Sequence, residues 1–200
     1  MQPDKRLFAT ALLTLSALLY TTGCMPRLAV KPAPAQPAAA VISTDTLKYG
    51  AREVFTGVCE KVYDGDTILV RGDGREEKIR FYGIDTPESR QDYGPAAKQF
   101  TSDMVYGKRI TVYGFGKEYY GRTLGIIEVE GRDLNLELVK AGLAWHYKQY
   151  SSDPALAAAE TAARQAKLGL WCDGAPQAPW DWRRHQRKKS VSGGRGQPAE

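Results

Sequence analysis

Five short stretches alternate apolar with polar residues, glycine-bearing turns separate them, and three further stretches carry apolar side chains at helical spacing. Together these predict an α+β, mainly β fold. Five short strands left as an open sheet would expose two edges, and closing the sheet removes both. The economical closed form is a five-stranded OB-fold barrel with three helices. A chain of 200 residues is long enough to bury such a core without a metal or disulfide staple.

The N-terminus reads as an export signal over residues 1–23. Lys5 and Arg6 precede an apolar run from Leu7 to Tyr20 that is short for a membrane span, and small residues lead to Gly23-Cys24. This resembles a bacterial lipoprotein signal, with Cys24 as the lipidated residue, although Thr21 stands where such signals usually carry leucine. Simple cleaved secretion and an uncleaved anchor are the alternatives. Residues 24–53 are rich in alanine and proline, the composition of an extended tether. The expected domain spans 54–184, and residues 185–200 read as a basic, disordered tail. Export leaves Cys59 and Cys172 two readings, a disulfide or two buried free thiols.

Within the domain, strands are expected over Val54–Val62, Thr67–Arg71 and Lys78–Ile84, with Gly72-Asp73-Gly74 as a turn. Ile79 and Phe81 share one face of the third strand, so Arg80 and Tyr82 share the other. Gly94-Pro95 opens the first helix, with Ala97, Phe100 and Met104 as its apolar stripe and Gly107 as its stop. Strands follow at Arg109–Tyr113 and Thr123–Val129. Asn135 is the expected N-cap of a second helix carrying Leu136, Val139 and Leu143, and Asp153-Pro154 opens a third that runs to Gly169. Trp171, Trp180 and Trp182 are expected to pack the terminus against the barrel while Arg183, Arg184, Arg187, Lys188 and Lys189 stay solvated. Stacking and charge offer the alternative, a nucleic-acid contact.

The net charge of +5 and the pI of about 9.0 favour a polyanionic partner. The chemistry concentrates between Asp64 and Glu88. Asp64-Gly65-Asp66-Thr67 and Asp85-Thr86-Pro87-Glu88 close the two ends of one predicted hairpin, with Arg80 between them. A hairpin brings its ends together, so the carboxylates converge beside a guanidinium, a combination suited to a hard cation and an anionic substrate. An EF-hand is excluded, because Arg75 stands where that loop needs a bidentate glutamate. The two histidines, His146 and His185, lack zinc-ligand spacing and do not suggest a histidine acid–base pair.

In order and spacing, Asp64-Gly65-Asp66-Thr67, Arg80, Asp85-Thr86-Pro87-Glu88 and Tyr120-Gly121-Arg122 resemble the staphylococcal nuclease family. Leu143-Ala144, Gly169-Leu170-Trp171 and Pro179-Trp180-Asp181-Trp182-Arg183 resemble its bacterial members, so the likeness runs from about Val54 to Arg184. It implies an OB barrel with three helices and a calcium-dependent endonuclease that cuts DNA and RNA to 3′-phosphate and 5′-hydroxyl ends. By the same resemblance, Asp66 and Asp85 ligate Ca2+ through carboxylates and Thr86 through its carbonyl, with Asp64 just behind them. Glu88 activates or orients the attacking water, Arg80 and Arg122 hold the phosphate, and Tyr120 contacts substrate. A further tyrosine match falls on Tyr147 or Tyr150. Two departures stand out. Only Ser89 to Asp92 separate Glu88 from the Tyr93-Gly94-Pro95 helix start, and Glu118-Tyr119 replaces an Asp-Lys pair. The implied partners are nucleic acid and, through Cys24, a membrane at the cell envelope; the rival reading is a non-catalytic OB-fold nucleic-acid-binding module.

Overall fold

The computed structural model describes residues 49–172 and 174–193. The signal stretch, Cys24, most of the tether and the end of the tail lie outside the described residues. Strand β1 (Glu53–Asp64) pairs antiparallel with β2 (Thr67–Gly72), which pairs with β3 (Arg75–Phe81). A two-residue strand, β4 (Ile84–Asp85), follows, then helix α1 (Gly94–Val105). β5 (Arg109–Lys117) returns antiparallel to β1, and β6 (Thr123–Val129) lies beside β5. Parallel pairing of β3 with β6 closes the ring, joining Ile79 to Thr123 and Arg80 to Leu124. The result is the expected closed five-stranded barrel, and it has no free edge between β3 and β6.

Alternation explains the strands, and irregularity bends them. In β1, Phe55 and Cys59 point inward, the register then slips, and Glu60 and Lys61 are both exposed before Val62 turns back in. Such a bulge adds the local twist that a small barrel needs to curl. Ile68, Val70, Ile79, Phe81, Val112 and Ile127 fill the centre. As expected, Ile79 and Phe81 face this core while Arg80 and Tyr82 face away.

A short strand β7 (Arg132–Asp133) leads into α2 (Leu134–Lys140). Here the expected N-cap is corrected. Asp133 caps the helix, its Oδ1 accepting from the Leu136 amide at 3.0 Å. Asn135 lies inside the helix, where its buried amide donates to the Tyr82 and Gly125 carbonyls at 2.9 and 3.2 Å and accepts from the Ile127 amide at 3.2 Å. Starting two residues earlier, the helix buries Leu134, Leu138 and the expected Val139 completely, and Leu136 packs only partly.

Strand β8 (Trp145–His146) pairs with β4, joining Ile84 to His146 and Asp85 to Trp145. Helix α3 (Pro154–Gln165) begins where expected, capped by Asp153, but ends before Gly169. Lys167 adopts a left-handed conformation, φ 52°, which breaks the helix before a 3-10 turn at Gly169–Trp171. A fourth helix, α4 (Pro179–Gly193), is the main difference from the three-helix expectation, and it continues through residues whose composition suggested a tail. Its charged sequence has no apolar stripe to announce a helix. Among the described residues, no helix is long and apolar enough to cross a membrane.

Of the two readings for Cys59 and Cys172 the disulfide is not formed: both are free thiols, and only Cys59 is buried. Cys59 lies in the barrel core, whereas Cys172 is exposed beyond the 3-10 turn with Sγ 2.6 Å from the Tyr93 hydroxyl.

Candidate active site

The hairpin does bring its acidic ends together. Thr67 lies opposite Arg80 in the β2–β3 register, and the Phe81 amide donates to the Asp66 carbonyl at 2.8 Å. Asp66 and Asp85 are both fully buried, and one guanidinium joins them. Arg80 Nη1 donates to Asp66 Oδ1, and Arg80 Nη2 donates to Asp85 Oδ1 at 2.5 Å. The other Asp66 oxygen accepts from the Thr86 amide at 2.8 Å and its hydroxyl at 2.9 Å. Asp64 stands behind, its Oδ1 accepting from the Asp66 amide at 3.1 Å.

Gly65 is required by space. A Cβ there would lie 2.7 Å from Thr86 Oγ1 and 2.8 Å from the Ala97 methyl, and the Gly65 carbonyl accepts from the buried Thr101 hydroxyl at 2.6 Å. Helix α1 therefore presses directly on the turn that carries Asp64 and Asp66.

Electrostatics here is a contest between burial and pairing. Burial pushes the Asp66 carboxyl above the usual carboxylate range, and the neighbouring Asp64 charge adds to this while Arg80 and the Thr86 amide oppose it. Burial works against the Arg80 charge too, but Asp66 and Asp85 outweigh it and leave its pKa raised.

Sequence reasoning missed Arg183, which it left in solvent. From α4 this side chain reaches Asp85 as a fork, Nη2 to Oδ2 at 2.7 Å and Nη1 to Oδ1 at 3.2 Å, and Nη1 also meets Glu88 Oε1 at 2.7 Å. Burial opposes its charge, yet these bonds raise its pKa. The available signal was its place in the Trp180-Asp181-Trp182-Arg183 stretch, where Trp180 packs inward as expected. Trp180 meets Trp145, which meets Trp171.

Not every predicted residue joins this set. Arg122 lies just before β6, two residues ahead of Leu124, the partner of Arg80, but its Nε bonds Glu118. Tyr120 is 80% exposed in the β5–β6 turn, where its ring meets Tyr119 edge-on. The short connection after Glu88 is a double turn, with the Gln91 amide bonding the Glu88 carbonyl at 2.8 Å and the Gly94 amide bonding the Gln91 carbonyl at 2.9 Å. The buried Gln91 side chain then donates to the Gln177 carbonyl, tying this rim to the approach to α4.

Comparison with known proteins gives a consistent result. The profile of the family described as staphylococcal nuclease homologue matches residues 78–173. The chain is 44% identical over 124 residues to an "Uncharacterized endonuclease" of Escherichia coli O157:H7, covering 62% of this chain and 81% of that protein. It is 40% identical over 138 residues to an "Uncharacterized endonuclease" of Haemophilus influenzae, covering 68% and 78% respectively. A "Probable staphylococcal-like nuclease CAN1" of Oryza sativa subsp. japonica is 42% identical over 123 residues, covering 62% of this chain and 36% of the plant protein.

Proposed function

The chain belongs to the staphylococcal nuclease family, and from that premise we propose a calcium-dependent phosphodiesterase that cuts DNA and RNA with little sequence preference. It leaves 3′-phosphate and 5′-hydroxyl ends. The observation that carries this reading is the convergence of Asp66 and Asp85, both buried, on the single guanidinium of Arg80.

The donor set suits a hard divalent cation. Asp64, Asp66, Asp85 and Glu88 offer four carboxylates against the two guanidiniums of Arg80 and Arg183, a formal surplus of two negative charges when all are ionised. Among the described residues, no group of three or more His, Cys, Asp or Glu side chains forms a ready cage for a metal. Asp66, Asp85 and the Thr86 carbonyl would hold the ion with water, an oxygen-rich and irregular arrangement that calcium tolerates. Once bound, calcium supplies charge that offsets the negative phosphate.

The chain's own residues do the rest. Glu88 orients or activates the attacking water as the P–O5′ bond breaks, and the leaving 5′ oxygen takes a proton from solvent water. Arg80 and Arg122 hold the phosphoryl oxygens, where planar, permanently charged forks suit the charge that builds on the equatorial positions. Fixed donors of this kind each contribute a few kcal/mol, on the order of a hundredfold in rate. Tyr120 contacts the substrate at the rim. Contacts mainly to phosphate and sugar make binding steeply salt-dependent. We further propose export, with Cys24 as the lipid anchor; mass spectrometry of the N-terminus in wild type and Cys24→Ser tests this.

The purified chain is incubated with single- and double-stranded DNA and RNA, in calcium or in chelator. Calcium-dependent cleavage to phosphatase-sensitive 3′ ends, lost in Asp66→Ala, is expected. Binding without cleavage under every condition would instead favour the non-catalytic module.

A further inference from the structure

Helix α4 presents Trp180, Arg183, Arg184 and Arg187 at i, i+3, i+4 and i+7, the spacing of a single helical face. A face that served only to dock the helix would be apolar, yet three of these four positions are arginine. All four line one pocket of about 610 Å³. Arg183 belongs to this pocket and also bonds Asp85 and Glu88, so the pocket adjoins the carboxylate site.

Two residues of the pocket wall carry buried polar atoms without a hydrogen-bond partner. His146, 4% exposed, lines it from β8, and neither of its ring nitrogens has a hydrogen-bond partner. The indole N–H of Trp145 beside it is buried and unpartnered as well. Buried polar groups are otherwise nearly always hydrogen-bonded, so these two are exceptions in the wall of the pocket. The pocket also holds an aromatic platform: the Tyr147 and Trp180 rings are stacked with an interplanar angle of 4° and centroids 5.1 Å apart.

Charge in the pocket is unevenly spent. Lys148 and Arg164 share Glu160, at 3.0 and 3.1 Å. Arg184 reaches Asp181 only at 3.4 Å and from an exposed position, and Arg187 makes no ion pair among the described residues. The two outer arginines of α4 are therefore available to an anion.

We propose that this pocket takes the nucleotides flanking the scissile phosphodiester of a single strand. Arg184 and Arg187 hold successive phosphates, and one base lies against the Tyr147–Trp180 stack. Stacking plus charge is the chemistry of single-strand binding. A concave, aromatic pocket lined by arginines suits a nucleotide better than a lipid surface, which calls for an exposed convex face. The inference rests on the nuclease reading for the place of the pocket along the substrate, but its binding test does not require cleavage.

The test compares the full chain with Arg184→Ala/Arg187→Ala, a change at two exposed positions. Anisotropy of a fluorescein-labelled single-stranded 12-mer and a labelled dinucleotide is followed in chelator across a salt series. Affinity for the 12-mer is expected to fall roughly thirtyfold and its log–log salt slope to shrink by about 1.4, with a much smaller loss for the dinucleotide. The His146 ring signals in the NMR spectrum should shift when the 12-mer is added to wild type. Equal 12-mer affinity and slope in the two proteins would overturn the proposal. So would loss of binding to vesicles containing phosphatidylglycerol with 12-mer binding intact, which would assign the arginine face to a membrane. If wild type binds the 12-mer through α4 but never cleaves it, the pocket stands and the nuclease reading fails. Cleavage together with α4-independent binding overturns the pocket and leaves the nuclease reading standing.

Discussion

Replacing Arg80 by glutamine removes the one group that joins Asp66 to Asp85. The side chain is 17% exposed and donates to one oxygen of each of two fully buried carboxylates. A hydrogen bond to a charged group contributes about 1.5–3 kcal/mol, and breaking a buried ion pair from one side costs about 3–5 kcal/mol. Neither carboxylate is stranded, because Asp66 keeps the Thr86 amide and hydroxyl and Asp85 keeps Arg183. The expected loss is therefore near the lower end, about 3 kcal/mol at pH 7, or roughly 10 °C in Tm for a domain of this size. Urea unfolding followed by tryptophan fluorescence, with chelator present so that no cation stands in for the guanidinium, measures it. A double variant that also carries Asp66→Asn should recover part of the loss, since an amide costs less to bury than an unpaired charge. A loss below about 1 kcal/mol, or no recovery in the double variant, would refute the idea that Arg80 sustains these two buried charges.

Three further outcomes are expected. In Gly94→Ala the new Cβ would lie 2.0 Å from the Glu88 carbonyl oxygen, so the loop must shift; steady-state kinetics should show kcat falling more than KM rises, with the fold intact by circular dichroism. Arg122→Lys keeps the charge but loses the planar fork, and single-turnover cleavage should slow by roughly a hundredfold; near wild-type turnover would exclude bidentate phosphate binding. Burial pushes the Cys59 thiol from 9.0 up to about 11, so in a Cys24→Ser background a thiol reagent at pH 8 should label exposed Cys172 quickly and Cys59 only on unfolding. The raised value favours the neutral thiol in the folded state. Its stabilising share is thus complete below pH 9 and lost as pH climbs toward 11, a slope that Cys59→Ala should lack.

The barrel and the acidic half of the site were legible because both follow from local rules. Two-residue alternation sets which side chains of β3 face inward, and a hairpin must return its end to its beginning, so Asp66 and Asp85 had to meet near Arg80. Asn135 was misplaced because asparagine before an apolar stripe is a sound cap signal, whereas its actual role depends on carbonyls contributed by β6 and by Tyr82. Arg183 was illegible for a similar reason. It lies 98 residues beyond Asp85, on a helix with no apolar stripe, and it is held in place by aromatic contacts made by neighbouring residues. A charge run looks solvated until the partner of each charge is known.

The shortened rim and α4 are best understood as one change. With only Ser89 to Asp92 between Glu88 and Tyr93, the loop has no length to reach across the carboxylates, and its double turn keeps it close to the start of α1. On that same side, Gln91 is bonded to the Gln177 carbonyl just before α4, and α4 delivers Arg183 to both Asp85 and Glu88. Glu88 is consequently bracketed by two constraints, the Gln91 turn at its backbone and the Arg183 guanidinium at its carboxylate. The orientation of the residue assigned to the attacking water therefore depends on a helix that lies about ninety residues away in sequence and outside the span matched by the family profile.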